Sequence, residues 1–178
     1  MDTIFFNRIA KSSASTNSRN GNRDFVLKNL ECLKDLVAFA IDLTNKNQYK
    51  AVWIIEMLAE THPELLAPFV NQICNVAAKY KHESAIRGIS RTILFLSTSK
   101  KISLTEDQQE KFIETSLDRL IGNDKVAPKV FAMYALSHFA KNQDWIKEEL
   151  RNIINKDFAN QSAGYKAAAR EVLLQLSK

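Results

Sequence analysis

The sequence predicts an all-α fold without a β-sheet, and three observations support that prediction. The chain has four glycines and three prolines in 178 residues, which is few for a β-rich or loop-rich protein. Leu, Ala, Lys, Glu and Ile form long stretches of good helix formers, and the apolar residues within them recur at helical spacing. The composition, 46% hydrophobic and 25% charged, is typical of one folded domain with a substantial core.

The first 23 residues are predicted to form a separate, partly flexible segment, and residues 24–178 the helical domain. A short helix is expected over residues 3–11. The polar run over residues 12–22 has no apolar periodicity and is typical of a linker. The segment carries four basic residues against one acid, a net charge of +3, which would suit contact with an acidic partner. A solvated, disordered terminus is the favoured interpretation.

The helical pattern begins at Asp24, where apolar residues occupy one broad face as far as Ile41. One helix, or two helices that meet near residues 31–34, would both fit this pattern. The next stretch, residues 48–80, is the centre of the predicted domain. Nearly every residue between Ala51 and Ala59 is apolar, which predicts a helix that is buried on most sides and needs neighbours on both flanks.

A second helix is expected to follow this buried helix after a sharp turn. Thr61 and Glu64 have the spacing of a capping box, and Pro63 suits a first helical turn. From Leu65 to Tyr80 the apolar residues recur on one stripe, which predicts an amphipathic partner helix. The two helices together would form a helical hairpin.

The hairpin pattern recurs twice and is followed by a final helix. Helices are predicted over residues 82–98, 105–121, 124–141 and 162–178, with a further helix that Asp144 caps. Thr105 and Gln108 have the spacing of another capping box. The residues expected to face the core are Ile86, Ile89, Ile93, Leu96, Phe112, Ile113, Leu117, Leu120, Ile121, Ile146, Leu150, Ile153, Ile154, Tyr165, Ala168, Val172, Leu173 and Leu176.

Four equivalent positions give the period of this pattern. Matching Trp53, Ile89, Phe131 and Ala169 gives spacings of 36, 42 and 38 residues by subtraction. Repeats of that length, each built from two helices, are typical of helical solenoids.

Two segments resemble a known family of such repeats. Residues 128–136 look like the first helix of a HEAT repeat, with Lys129 where that family commonly has Arg. Over residues 45–178 the chain resembles the HEAT/armadillo family, which implies stacked helix pairs in a right-handed α-α superhelix with a concave surface lined by the second helices. The segment Tyr-Lys-Ala-x-Trp-Ile-x-Glu, beginning at Tyr49, is similar to short bacterial HEAT-like proteins that sometimes carry the label adenylosuccinate lyase.

The motifs of common enzymes are missing or incomplete, so we expect no catalysis and no bound cofactor or metal. The chain is much shorter than adenylosuccinate lyase and lacks its Ser-Ser-x-Met-Pro-x-Lys-x-Asn-Pro loop. His82 and Glu83 begin a zinc-protease pattern, but residue 86 is Ile where a second His is needed. The four glycines are isolated along the chain and form no phosphate-binding loop.

Cysteine usage and hydropathy predict a cytoplasmic protein with no membrane partner. Cys32 and Cys74 lie within apolar helical patterns, which predicts buried thiols rather than a disulfide or a zinc site. The chain has no run of about 18 apolar residues, as a membrane span needs. Residues 4–6 are the only apolar run near the N-terminus, which is too short for the core of a signal peptide.

Glu56 is the polar residue within the apolar run of the central hairpin. An unpaired buried carboxylate would be costly, so we predict that Glu56 pairs with Arg87 or Arg91 from the first helix of the next hairpin. The alternative is that Glu56 reaches the surface.

Basic residues gather between residues 79 and 101. Six of them oppose Glu83 alone, a net charge of +5, whereas residues 104–124 carry two basic residues against six acids, a net charge of −4. Arg87 and Arg91 are four residues apart on one helix face and would clamp a phosphate or a carboxylate together. The candidate binding residues are Lys79, Lys81, Arg87, Arg91, Lys100 and Lys101.

The favoured function is a non-catalytic scaffold or adaptor that binds another protein. The alternative is nucleic-acid binding through residues 79–101, for which HEAT-like DNA glycosylases are a family precedent. Protein binding is favoured because the net charge of the whole chain is a modest +5 and Trp53 is predicted to be buried. The last helix has a polar outer face apart from Leu174, which predicts a capped end and a monomer.

Overall fold

The computed structural model describes the backbone of residues 3–177 and the side chains of residues 4–177. Throughout this range the secondary structure is helical and no strand occurs, so the predicted all-α fold is confirmed. The chain forms two compact units, Met1–Thr92 and Ile93–Lys178, and the boundary between them falls within one helix.

The first unit is organised around a buried helix, α4. Its helices are α1 (Thr3–Ala10), α2 (Thr16–Lys28), α3 (Leu33–Ile41), α4 (Gln48–Thr61), α5 (Val70–Ala77) and the first part of α6 (Glu83–Thr98), with 3₁₀ helices at Leu30–Cys32 and Pro63–Phe69. Helix α4 contacts α1, α2, α3 and the second 3₁₀ helix. Its residues from Ala51 to Glu56 are all buried, so the prediction of a helix covered on most sides is confirmed.

The N-terminal helices differ from the predicted linker. Helix α1 confirms the expected short helix, but it buries Phe5 and Ile9 instead of lying in solvent. The linker prediction is wrong from Thr16 onward, because Ser15 caps α2 by accepting a hydrogen bond from the Ser18 N–H. Apolar periodicity does not reveal helix α2, because one of its buried residues is polar. This residue, Asn22, accepts a hydrogen bond of 2.9 Å from Arg8 Nε. The partial flexibility of residues 1–23 stays a prediction.

Two further boundaries in the first unit are now defined. The stretch after Asp24 contains two helices, because α2 ends at Lys28 and α3 begins at Leu33. Thr61 does not cap a new helix, since α4 includes it and its Oγ1 donates to Met57 O at 2.9 Å. Pro63 and Pro68 lie in the 3₁₀ helix that follows, and α5 begins only at Val70.

The second unit is organised around α8. Its helices are the last part of α6, α7 (Glu106–Ile121), α8 (Val126–Phe139), α9 (Asp144–Asp157) and α10 (Ala163–Leu176), with a 3₁₀ helix at Phe158–Asn160. Helix α8 contacts α7, α9 and α10. The predicted capping box of α7 is confirmed, because Thr105 and Gln108 exchange both hydrogen bonds.

Two predictions about the second unit are wrong. Asp144 is the first residue of α9 and Gln143 is its N-cap, so Asp144 acts on the helix dipole rather than as a cap. Ile121 does not face the core, because its exposed fraction is 61%. Leu120 takes the buried position there, and Ile121, the last residue of α7, lies about 100° further round the helix.

Candidate functional site

Glu56 lies in the core of the first unit, where α4 and α6 come close together. Its exposed fraction is 2%, so the alternative in which it reaches the surface is wrong. A glycine on α6 permits the close approach. A Cβ atom added to Gly88 would lie 2.8 Å from Val52 Cγ1 and 3.3 Å from Glu56 Oε2. Any larger residue at position 88 would therefore press on α4 beside the carboxylate.

Both arginines named as partners from the sequence contact this carboxylate. Arg87 Nη1 lies 3.2 Å from Oε1 and from Oε2 of Glu56, and Arg91 Nη1 lies 2.8 Å from Oε1. Arg91 also donates through Nη2 to Glu60 Oε1 at 3.0 Å. The four-residue spacing places each pair of like residues on one face of its own helix. We call Glu56, Glu60, Arg87 and Arg91 the ion-pair cluster.

The ion-pair cluster has no net charge and closes towards the core. Burying a carboxylate costs several kcal/mol, about the amount that paired and hydrogen-bonded guanidinium groups can offset. The side chains of Arg87 and Arg91 remain 42% and 28% exposed, so the cluster meets solvent on its arginine side. Glu56 is covered and paired, which leaves it without access to a substrate as a general acid or base. The arrangement therefore acts as a clamp between α4 and α6.

The six candidate binding residues predicted from the sequence lie in different parts of the fold. Arg87 and Arg91 belong to the ion-pair cluster, whereas Lys79 and Lys81 lie in the turn between α5 and α6 of the same unit. Both lysines are exposed and make no ion pair with any described residue. The remaining two members, Lys100 and Lys101, follow α6 in the second unit. The binding role of all six residues stays a prediction.

Lys79 and Lys81 line a cavity of about 540 Å³ in the first unit. Its walls come from the loop between α3 and α4 and from the turn between α5 and α6. We call it the basic cavity, and its lining residues are Leu43, Thr44, Asn45, Lys46, Gln48, Lys79, Lys81 and His82. Sequence reasoning missed the contributions of Lys46, Gln48 and His82, because residues more than 30 positions apart form one surface only after folding.

The titratable groups with shifted pKa values are structural. Burial raises the pKa of Tyr80 well above its usual value. The Tyr80 hydroxyl donates to Ala40 O at 2.8 Å and so joins the turn after α5 to α3. Burial, followed by a 2.6 Å hydrogen bond to Glu171, raises the pKa of Tyr134 to about 12. Both phenols therefore stay protonated and serve as hydrogen-bond donors.

Over residues 3–177 there is no cluster of three or more His, Cys, Asp and Glu side chains that could hold a metal ion. None of the helices in the same range is long and apolar enough to cross a membrane.

A family model described as the HEAT repeat domain matches residues 21–176, which is most of the chain and extends from within α2 to the end of α10. No curated protein and no solved structure matches the chain.

Proposed function

Because the chain belongs to the HEAT repeat family, we propose that it is a non-catalytic scaffold or adaptor whose helical repeats bind another protein. The observation that carries this proposal is the match of the repeat domain to residues 21–176, since repeats of this kind display extended helical surfaces. The confirmed resemblance extends further towards the N-terminus than residue 45, and α2 is part of it. An adenylosuccinate lyase activity finds no support in the match.

The ion-pair cluster favours a protein partner over nucleic acid. Arg87 and Arg91 were the residues best placed to clamp phosphates, but their guanidinium groups contact Glu56 and Glu60. Binding a phosphate there would leave a buried carboxylate with weakened partners. The basic residues outside the cluster are lysines, which bind phosphates as point charges without the two-pronged geometry of arginine.

The test is recovery of a partner from a cell extract. The tagged full chain should retain a specific protein after nuclease treatment, and that protein should bind the purified chain directly. Tight binding to random duplex DNA at physiological salt, with an affinity that falls steeply as salt is raised, would contradict the proposal. Charge reversal of Arg87 and Arg91 is a poor probe of DNA binding, because it would also leave the buried Glu56 without its ion-pair partners.

We also propose that the scaffold works as a monomer in a reducing cytoplasm. Cys32 and Cys74 form no disulfide with each other, which fits a reducing compartment. Leu174 on α10 is 64% exposed, and a single exposed leucine is common on monomer surfaces. Light scattering at micromolar concentration should therefore give a monomer for the wild type and for Leu174→Glu alike. A wild-type dimer that dissociates in the variant would make α10 an interface instead.

A further inference from the structure

We propose that the basic cavity of the first unit binds an acidic segment of a partner protein. This proposal rests on the scaffold function and names the chemistry of the partner. The cavity volume of about 540 Å³ lies in the range of ligand sites, which is roughly 300–1,000 Å³. It would accommodate a short stretch of peptide with its side chains.

The charges around the cavity favour an anion. Lys46, Lys79 and Lys81 are exposed at its rim, and none pairs with a carboxylate in the described part of the chain. Among the residues that the structure describes, no Asp or Glu lines the cavity. Asp42 belongs to the same loop and keeps its negative charge while its Oδ1 accepts hydrogen bonds from the N–H and the hydroxyl of Thr44. Glu83 follows His82 in the chain, so three lysines outnumber two nearby acids. Three unpaired ammonium groups therefore face solvent around one opening.

The N-terminus of α4 adds to this positive potential. Gln48, the first residue of the 14-residue helix α4, lies in the cavity wall. The side chain of the N-cap residue, Asn47, makes no capping hydrogen bond, and the first turn of α4 has no acid. The N–H groups of Gln48 and Lys50 donate to Asn45 O and Asn47 O, so this helix end contributes positive potential through the helix dipole.

The side chain of Gln48 indicates that the ligand also carries a hydrogen-bond donor. Its exposed fraction is 7%, and its buried Oε1 atom accepts no hydrogen bond from any residue in the described part of the chain. An unsatisfied buried acceptor is costly, so a ligand that supplies a donor at this point would gain affinity. A peptide has an N–H group beside every acidic side chain, whereas the phosphodiester backbone of DNA has no donor. The combination of cations and one orphaned acceptor therefore fits an acidic peptide better than DNA.

His82 gives a second directed contact. Its ring stacks on Tyr49, with the ring centroids 3.9 Å apart and the planes within 2° of parallel. Its Nδ1 atom accepts a hydrogen bond of 3.2 Å from the Ser84 N–H, which leaves Nε2 as the nitrogen that carries the proton. The stack and the hydrogen bond hold the ring in place, so Nε2–H is available to donate to a carboxylate.

The extent of the positive surface also favours a short acidic segment. Arg87 and Arg91 are held in the ion-pair cluster, so they do not extend the row of free cations in this unit. Nucleic acids are usually bound along a continuous basic groove that follows many phosphates. Three lysines and a histidine around one cavity match a few carboxylates instead.

The experiment measures binding of a fluorescein-labelled oligoglutamate peptide to the full chain by fluorescence anisotropy. We expect binding that weakens with salt, and a loss of about tenfold or more in the Lys79→Glu/Lys81→Glu variant. The matched control is Lys28→Glu/Lys34→Glu, which changes two exposed lysines of the same unit by the same total charge and lies outside the cavity. The control should bind within about twofold of the wild type if the cavity is the site. Gln48→Met, which removes the acceptor at similar volume, should weaken binding several-fold.

Three results of the binding measurements would overturn the cavity as the site, apart from the capture experiment below: no binding of the peptide by the wild type, equal losses in the two double variants, or tighter binding of random duplex DNA than of oligoglutamate. Circular dichroism on every variant separates lost binding from lost folding. The scaffold function is tested apart from the cavity, by capture of a partner with each double variant. A partner retained equally by wild type and Lys79→Glu/Lys81→Glu would overturn the cavity proposal alone. Selective peptide binding with no captured partner would overturn the scaffold function.

Discussion

Helix α4 of the first unit and helix α8 of the second unit occupy equivalent places in the repeat, yet they bury different polar groups. Each has 14 residues, and matching the repeats aligns Trp53 of α4 with Phe131 of α8. The buried polar residue near the middle of α4 is Glu56, whose partners come from α6. Towards the end of α8 it is Ser137, whose hydroxyl lies 2.8 Å from Tyr134 O of its own helix and 3.3 Å from Gln175 Oε1 of α10, and Lys129 is buried near the start of α8.

This difference shows what a buried charge adds to a helical repeat. A hydroxyl finds an acceptor within its own helix, so the second contact of Ser137, with Gln175 of α10, is not needed to satisfy it. A carboxylate is not satisfied within its own helix in this way, so Glu56 of α4 needs two arginines from α6 at defined positions. We infer that the ion-pair cluster sets the register of α4 against α6, whereas α8 makes no ion pair with any described residue and contacts α10 through hydrogen bonds of Tyr134 and Ser137.

The largest expected effect comes from removing the arginines that hold Glu56. The variant Arg87→Ala/Arg91→Ala leaves a carboxylate buried without a counter-charge, and the free energy of unfolding should fall by about 3 kcal/mol. In the second unit, Ser137→Ala should cost about 1 kcal/mol, because a local hydrogen bond is lost and no charge is exposed. Urea unfolding of both variants measures the difference.

A third variant tests the cause. Adding Glu56→Met to Arg87→Ala/Arg91→Ala removes the buried charge, so it should restore most of the lost stability. If the triple variant is no more stable than the double variant, the loss arises from the packing of the arginine side chains and not from Glu56.

The next effect concerns the close approach of the helices at Gly88. In Gly88→Ala the new Cβ meets Val52 Cγ1 at 2.8 Å, and overpacking of this kind costs about 1–3 kcal/mol. The higher helix propensity of Ala offsets up to about 1 kcal/mol of that cost, so a net loss is expected. Gly21→Ala is the control, because that glycine lies in α2 and nothing within 4 Å would meet its Cβ. Denaturant unfolding that shows both alanine variants gaining stability would contradict the tight contact.

The sequence predicted those features whose signals are local or strongly periodic. The apolar run of α4, the capping box of Thr105 and Gln108 and the arginine partners of Glu56 could all be inferred, since spacing within one or two helices defines them. Helix α2 was missed because its buried Asn22 depends on Arg8 of another helix, which no periodicity reveals. The basic cavity was missed for the same reason: its two walls come from loops that are distant along the chain.

A smaller difference separates the capped helix α7 from α4. Thr105 accepts a hydrogen bond from the Gln108 N–H, whereas Asn47, at the N-cap of α4, makes no capping bond with its side chain. We therefore expect Thr105→Ala to lower the unfolding free energy by about 1 kcal/mol and Asn47→Ala to lower it by less than about 0.5 kcal/mol. Thermal unfolding of the two variants side by side is the measurement. Equal losses would contradict the prediction, because they would mean that Asn47 stabilises the start of α4 as much as Thr105 stabilises the start of α7.

The smallest expected effect is a pH dependence that belongs to α8. Burial, and then the charge of Lys141, lower the pKa of His138, which is half-buried near the end of that helix. The unfolded chain has the ordinary histidine pKa of about 6.5, so between the two values it binds more protons than the folded chain. Stability should thus be fully present above about pH 6.5 and decline as the pH falls through that value, levelling off below the folded pKa. In His138→Gln this decline should be smaller, and Lys141→Gln should reduce it in part. Urea midpoints measured from about pH 8 to about pH 5 give the comparison. Identical slopes in His138→Gln and the wild type would assign the decline to other groups.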